Sequence, residues 1–152
     1  MSDEVRIFNN GGIGINVAPT GGAHAIAVVD GTHVDTNGNG MIVNGTGGIA
    51  DAVFRDSTAS RNTNFGVQAT SSASKATAFV QNSTMAFNAG TGFNVSGGQG
   101  FGFIGSSTVT GNGTGVSATG TLQSFKNNQI ANNTTDGTPI NPFPGPGGTP
   151  LQ

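Results

Sequence analysis

The sequence predicts an all-β chain that folds as a single-stranded, right-handed parallel β-helix of about five coils with roughly 25 residues per coil. Three observations lead to this prediction: an asparagine that returns at a nearly constant interval, a glycine that follows it, and short runs of alternating apolar and polar residues. Helix is disfavoured because 27 glycines interrupt nearly every window of the 152 residues. We expect the β-helix domain to span residues 1–140 and a tail rich in proline and glycine to span residues 141–152.

The recurring asparagines mark one equivalent position in each coil. They are separated by 27, 25, 26, 24 and 21 residues, and a glycine follows each after three or four residues. Five of these glycines open a short alternating strand, and the sixth, Gly137, belongs to a decayed copy that ends the stack. We predict that each asparagine takes a left-handed backbone conformation at a turn. We also predict that the stacked side chains bond amide to amide as an asparagine ladder. These anchors are Asn10, Asn37, Asn62, Asn88, Asn112 and Asn133.

Residues at the same distance before each anchor asparagine are also similar to one another, so they occupy equivalent positions in successive coils. A coil then contains three short strands, and each pairs in parallel with its equivalent one coil away, at about 4.8 Å, so that like side chains stack in files. One predicted core file is Val29, Phe54, Val80, Ile104 and Phe125. A second file of mainly small residues is Ala27, Ala52, Ala78, Gly102 and Gln123. A polar file is Thr32, Ser57, Ser83, Ser107 and Asn128.

Composition excludes several classes of function. The chain has 5 Lys+Arg against 7 Asp+Glu and no basic stretch, which argues against nucleic acid binding. Without cysteine it has no disulfide, no thiolate metal site and no cysteine nucleophile. No apolar run reaches the roughly 20 residues of a membrane span, and the first ten residues lack the pattern of a signal peptide. The two histidines have no close ligand partner in the sequence, so we predict no metal site and no cofactor.

Two segments carry a family resemblance. Residues 106–116, which read SSTVTGNGTGV, resemble the repeat of pectate-lyase-like and copper-accessory-type (NosD-like) parallel β-helix proteins. Residues 122–130, LQSFKNNQI, together with 132–133 and 136–139, are most similar to the final coils of uncharacterised, exported bacterial β-helix proteins. The resemblance covers residues 5–140 and implies an exported or extracellular location. It also implies a longer parent with more N-terminal coils, so we expect this chain to be truncated or a naturally short relative.

The resemblance brings an enzymatic alternative, a polysaccharide lyase or glycoside hydrolase, or the remnant of one. Pectin-degrading members of this superfamily cluster carboxylates and basic residues on one sheet. The candidate constellation here is Asp30, His33, Asp35, Arg55 and Asp56. Asp30 and Arg55 fall one coil apart in the same file and should pair. Such a pair is also ordinary surface electrostatics, and we predict no catalytic residue. His24, in a glycine-rich loop, is expected to be exposed.

The phenylalanines divide into two groups. The files place Phe54, Phe93 and Phe125 in the core, whereas Phe79, Phe101 and Phe103 fall outside the inner alternation. The second group either forms an exposed apolar patch, which would mark an interface, or lies under a side loop.

The sequence therefore favours a non-catalytic structural or interaction module of an exported or surface protein. The predicted partners are other copies of the chain, bound through the solenoid ends or the phenylalanine patch, with a glycan as a further candidate. The chain lacks the Trp and Tyr that sugar sites commonly use.

Overall fold

A computed structural model describes residues 4–143 and confirms the predicted fold class: an all-β parallel solenoid. Its strands form three parallel sheets, each with one strand from every coil. Sheet A contains β1 (Val5–Phe8), β4 (Thr32–Asp35), β7 (Thr58–Ser60), β10 (Thr84–Ala86), β13 (Thr108–Thr110) and β16 (Gln129–Ala131). Sheet B contains β2 (Ile13–Val17), β5 (Asn39–Asn44), β8 (Phe65–Thr70), β11 (Thr91–Ser96), β14 (Thr114–Ala118) and β17 (Thr135–Gly137). Sheet C contains β3 (His24–Asp30), β6 (Ile49–Arg55), β9 (Ala76–Gln81), β12 (Gly100–Gly105), β15 (Thr121–Ser124) and β18 (Asn141–Pro142).

The core lies between the three sheets and is filled by files of complementary size. In sheet B the file that contains Met41 and Phe93 is bulky, and in sheet C the facing file contains Ala52, Ala78 and Gly102. A Cβ atom on Gly102 would stand 2.9 Å from Cζ of Phe93. The small file therefore makes room for the large one, as close packing of a narrow interior requires.

The predicted asparagine ladder is confirmed at the turn from sheet A to sheet B, which we call the asparagine corner. Asn88 is representative: its Oδ1 accepts hydrogen bonds from the backbone N and the Nδ2 of Asn62, both at 3.0 Å. Its own Nδ2 donates to the carbonyl of Ala59 at 3.1 Å and to Oδ1 of Asn112 at 2.8 Å. Each amide thus bridges the coils on both sides.

The backbone conformation predicted for the anchors is wrong. The left-handed residue is the one before each anchor, with φ between 54° and 67°. The anchor's amide must point inward to reach the backbone of neighbouring coils, so the chain reverses one residue earlier. These residues are Asn9, Thr36, Arg61, Phe87, Gly111 and Asn132.

A second ladder lies at the turn from sheet C to sheet A, the serine corner. The hydroxyl of Ser57 accepts from the backbone N of Thr32 at 3.0 Å and donates to the carbonyl of Arg55 at 2.6 Å. Ser83 and Ser107 continue the same pattern in the following coils. Left-handed residues again precede the ladder, namely Gly31, Asp56, Asn82, Ser106 and Asn127.

The last coil departs from the predicted register. Leu122 pairs with Gly102 and is 6% exposed, so it takes the inward place that counting gave to Gln123. Phe125, predicted in the core, is 42% exposed. The turn after β15 holds one additional residue, with Lys126 and Asn127 both left-handed, and a fixed offset from the anchor cannot detect this. Of the predicted tail, Asn141–Pro142 forms β18 beside β15, and residues 144–152 lie outside the described residues.

Candidate interaction surface

The outer face of sheet C presents apolar side chains to solvent. Alternation along β3 directs Ile26 and Val28 outward, and they are 72% and 62% exposed. On the next strand, β6, the side chains of Ile49 and Val53 also point outward, and Ile49 is exposed whereas Val53 is half-buried. These four residues form the aliphatic cluster of the face. Large apolar side chains placed together in solvent are typical of an interaction surface.

An aromatic cluster continues the face on the later coils. Phe79 stacks on Phe103 with ring centroids 4.6 Å apart and planes at 14°. Phe125 lies 6.1 Å from Phe103, and Phe143 lies 5.0 Å from Phe125. Phe79 is 38% exposed, whereas Phe103 is half-buried. The predicted apolar patch is thus present on the outer face, with the half-buried Phe101 beside it. The patch also includes Phe125, which the sequence placed in the core because an additional residue shifts the register of the last coil, and Phe143, which fell in the predicted tail.

A cavity of about 350 Å³ opens beside the aromatic cluster. Its floor is Gly105, where the absence of a side chain lets Phe125 lie close: a Cβ atom on Gly105 would be 3.1 Å from Cβ of Phe125. The cavity is lined by Phe79, Val80, Gln81, Gly105, Ser106 and Phe125. We call it the slot.

Of the candidate catalytic residues, the structure brings Asp30 and Arg55 together. Arg55 Nη2 lies 2.7 Å from Oδ2 of Asp30 across the β3–β6 pair, and both side chains are about half exposed. This hydrogen bond, and then the charge of Asp30, raises the pKa of Arg55. The predicted one-coil separation of this pair is confirmed.

The other candidates are engaged elsewhere. On sheet A, Nδ1 of His33 lies 2.8 Å from Oγ1 of Thr58, and its Nε2 lies 2.9 Å from Glu4. Asp35, also on sheet A, accepts hydrogen bonds from the backbone N and the hydroxyl of Ser60 at 3.1 and 2.6 Å. At the serine corner, Asp56 accepts a hydrogen bond from Nδ2 of Asn82. The five candidates are therefore spread over two sheets and a corner.

A charged cluster that the sequence did not single out lies at the start of the sheet C strands. His24 is the first residue of β3 rather than part of a loop, and its Nε2 is 2.8 Å from Oδ2 of Asp51. Lys75 Nζ lies 3.4 Å from the other oxygen of Asp51. Partial burial raises the pKa of Asp51, but the neighbouring Thr77 hydroxyl, His24 and Lys75 together outweigh it, so the pKa lies below its ordinary value. The strand register alone could have revealed this cluster.

Within residues 4–143, no three His, Cys, Asp or Glu side chains are grouped closely enough to hold a metal ion. In the same part of the chain, no helix is of a length and apolarity that would cross a membrane.

Comparisons of the chain with protein-family models, with curated proteins and with solved structures found no match.

Proposed function

We propose that this chain is a non-catalytic structural and interaction module that associates with a second copy of itself through the outer face of sheet C. The observation that carries the proposal is an apolar file on this face, which runs in register across four strands and joins the aliphatic cluster to the aromatic cluster: Val28, Val53, Phe79 and Phe103. The most exposed members of the face, Ile26 and Val28, are 72% and 62% accessible to solvent. Transfer of such side chains out of water favours association by about 25 cal/mol per Å².

Two further features support pairing with a second copy. The aliphatic cluster lies on the first coils and the aromatic cluster on the later ones, so an antiparallel two-fold arrangement places each against the other. The charged groups near the face, Asp30 with Arg55 and Asp51 with His24 and Lys75, are already paired within the chain. They require no complementary charge from a partner.

The size of the face indicates a reversible association. The five sheet C strands other than the two-residue β18, spaced by about 4.8 Å and each about 20 Å long, give a projected area on the order of 500 Å². A standard stable interface takes about 800 Å² from each partner. We therefore expect a weak dimer, whose population depends on concentration.

Sedimentation equilibrium over a wide concentration range tests this proposal. The wild-type chain should show a monomer–dimer equilibrium, and Val28→Ser should weaken it several-fold because the polar hydroxyl disrupts the aliphatic cluster. The matched control is Ile42→Ser, on the outer alternation of sheet B, which should leave the equilibrium unchanged. A chain that stays monomeric up to millimolar concentration, or equal effects of the two variants, would contradict the proposal.

The enzymatic alternative finds less support. The open cavities on sheet C and around the last coil are lined by residues other than Asp30, His33, Arg55 and Asp56. Those four side chains also have partners within the solenoid, as described above. We therefore propose no catalytic role for them.

We also propose an exported location, and the resemblance of residues 106–116 and 122–130 to exported bacterial β-helix proteins supports it. Fractionation of cells that carry the native gene, with detection by an antibody against this chain, is the test. Detection outside the cytoplasm is expected, and confinement to the cytoplasm would overturn the proposal.

A further inference from the structure

The slot interrupts an otherwise continuous file on the outer face of sheet C. Arg55, Gln81 and Gly105 follow one another in register on successive strands. The first two carry long side chains, whereas Gly105 carries none. The file therefore has a gap one coil high, and the gap opens to solvent between Phe79 and Phe125.

The walls of the gap are two aromatic rings with similar orientation. Phe79 and Phe125 are inclined by 14° and 24° to Phe103, which lies beside the gap. Both rings line the gap, and aromatic rings favour offset stacking at centroid distances of about 4.5–7 Å. A planar ring fits this geometry better than a chain or a bulky branched group. The volume of about 350 Å³ is within the range of small-ligand pockets.

Two polar groups stand at the rim of the slot. Gln81 uses its backbone carbonyl to accept from Ser83, but its side-chain amide hydrogen-bonds no other described residue. The hydroxyl of Ser106 is likewise free of described partners, and both residues line the cavity. None of the lining residues is charged. The slot therefore suits an uncharged ring that carries one hydrogen-bonding substituent.

We propose that the slot binds a phenol ring, stacked between Phe79 and Phe125 with its hydroxyl at Gln81 and Ser106. The chain contains no tyrosine, so the ring comes from another molecule. Its source is either the tyrosine side chain of a partner protein or a free phenolic compound. This inference goes beyond the proposed self-association, because it concerns a cavity that one copy forms by itself.

Titration of the ¹⁵N-labelled full-length chain with p-cresol tests the proposal. Saturable shifts of the backbone amides of Gln81, Gly105 and Ser106 are expected, with a dissociation constant on the order of a millimolar, as suits a ligand of this size. Toluene, which has the same ring without the hydroxyl, should bind roughly fivefold more weakly, since a hydrogen bond is lost. Absence of saturable shifts with p-cresol, or equal binding of the two compounds, would overturn the proposal.

Substitutions locate the site. Gly105→Val fills the gap and should abolish binding, whereas the matched Gly98→Val, at a glycine with open space around it, should not. Gln81→Leu changes an exposed side chain without altering the floor. It should weaken p-cresol binding several-fold and leave toluene binding unchanged. Retention of full p-cresol affinity in both Gly105→Val and Gln81→Leu would place the ligand elsewhere and refute the assignment.

Two further measurements distinguish a partner's tyrosine from a free phenol, and the proposed dimer from the proposed slot. Binding of N-acetyl-tyrosinamide as well as p-cresol indicates a partner's tyrosine, and binding of p-cresol alone indicates a free phenol. In dilute solution, where the wild-type chain is monomeric as well, the Val28→Ser variant should bind p-cresol as the wild type does, because the aliphatic cluster is not part of the slot. A wild-type chain that binds p-cresol but does not self-associate would refute the dimer alone, and a wild-type chain that self-associates but does not bind p-cresol would refute the slot alone.

Discussion

The asparagine corner and the serine corner turn the same chain at the same pitch, but they are held together differently. At the first, the amide of Asn88 accepts from one neighbouring coil and donates to the other. At the second, the hydroxyl of Ser83 accepts from Ser57 at 3.2 Å, and its single proton goes to carbonyls, the nearer being that of Gln81 at 2.7 Å. A side-chain amide can donate two hydrogen bonds and accept others at its oxygen, whereas a hydroxyl can donate only one. The asparagine corner is consequently a continuous ladder, and the serine corner is a series of separate bonds.

The residues that precede the two ladders differ in a corresponding way. Those at the serine corner are Gly31, Asp56, Asn82, Ser106 and Asn127, mostly types that tolerate a left-handed backbone or bond locally. At the asparagine corner the same conformation is imposed on Thr36, Arg61 and Phe87. A β-branched or bulky residue in this region is strained. The stronger ladder thus holds unfavourable residues in place, and this difference is open to test.

The largest expected effect is that of breaking the asparagine ladder. Asn88→Ala leaves the buried backbone N of Asn62 and the carbonyl of Ala59 without their partner. Each buried unsatisfied group costs about 1–3 kcal/mol, so we expect a loss of about 3 kcal/mol in the free energy of unfolding. Urea denaturation measures it. Asn16→Ala, at an exposed strand position, is the control and should change stability by less than about 0.5 kcal/mol.

A smaller loss is expected at the serine corner. Ser83→Ala removes one acceptor for the backbone N of Ser57 and one donor to the carbonyl of Gln81. We expect the free energy of unfolding to fall by about 1.5 kcal/mol, roughly half of the loss expected for Asn88→Ala. The same denaturation experiment decides the matter, and equal losses in the two variants would mean that the amide ladder has no advantage over the hydroxyl ladder.

Relief of strain at the asparagine corner should raise stability. Thr36 is exposed and has φ 58°, and Asn9 and Asn132 already occupy equivalent positions. Because asparagine tolerates this conformation better than threonine, Thr36→Asn should gain about 0.7 kcal/mol, a part of the cost of strain. Thr46→Asn, at an exposed threonine of a loop, serves as the control. A gain of equal size there would show that backbone strain is not the cause.

The corners also show what the sequence can predict. The interval between asparagines was enough to predict the coils, the parallel pairing and the ladder, because a hydrogen-bonded file requires the same residue at the same place in every coil. The prediction assigned the left-handed conformation to each anchor asparagine, whereas the structure has it at the residue before the anchor. Periodicity defines which residues are equivalent, but it does not specify their dihedral angles.

The outer face of sheet C was predictable only in part. Alternation directed Phe79 and Phe103 outward, but Phe125 was assigned to the core because the extra residue at Lys126 and Asn127 has no signature in the spacing. The charged cluster of His24, Asp51 and Lys75 was missed for another reason. His24 and Lys75 lie thirteen residues before their anchors, whereas Asp51 lies eleven before its own. Asp51 therefore belongs to a neighbouring file, and counting within one file does not bring the three side chains together.

The smallest expected effect separates this charged cluster from the two corners. The ladders consist of neutral amides and hydroxyls, so the bonds within them should not respond to acid. Asp51 differs, because its pKa in the folded chain lies below the ordinary value of 3.8. Its carboxylate therefore contributes stability that is fully present above the unfolded-state pKa and is lost as the pH falls through the folded-state pKa.

The corresponding variant is Asp51→Asn, compared with the wild type in urea denaturation from pH 6 to pH 2. We expect the variant to be less stable by about 0.5 kcal/mol at pH 6, as for a partly exposed ion pair, and the difference to disappear towards pH 2. Asn88→Ala provides the contrast, because its deficit should stay constant over the same range. A deficit of Asp51→Asn that does not change with pH would show that the Asp51 side chain stabilises the chain by packing, since a contribution of its charge must vanish once the carboxyl is protonated.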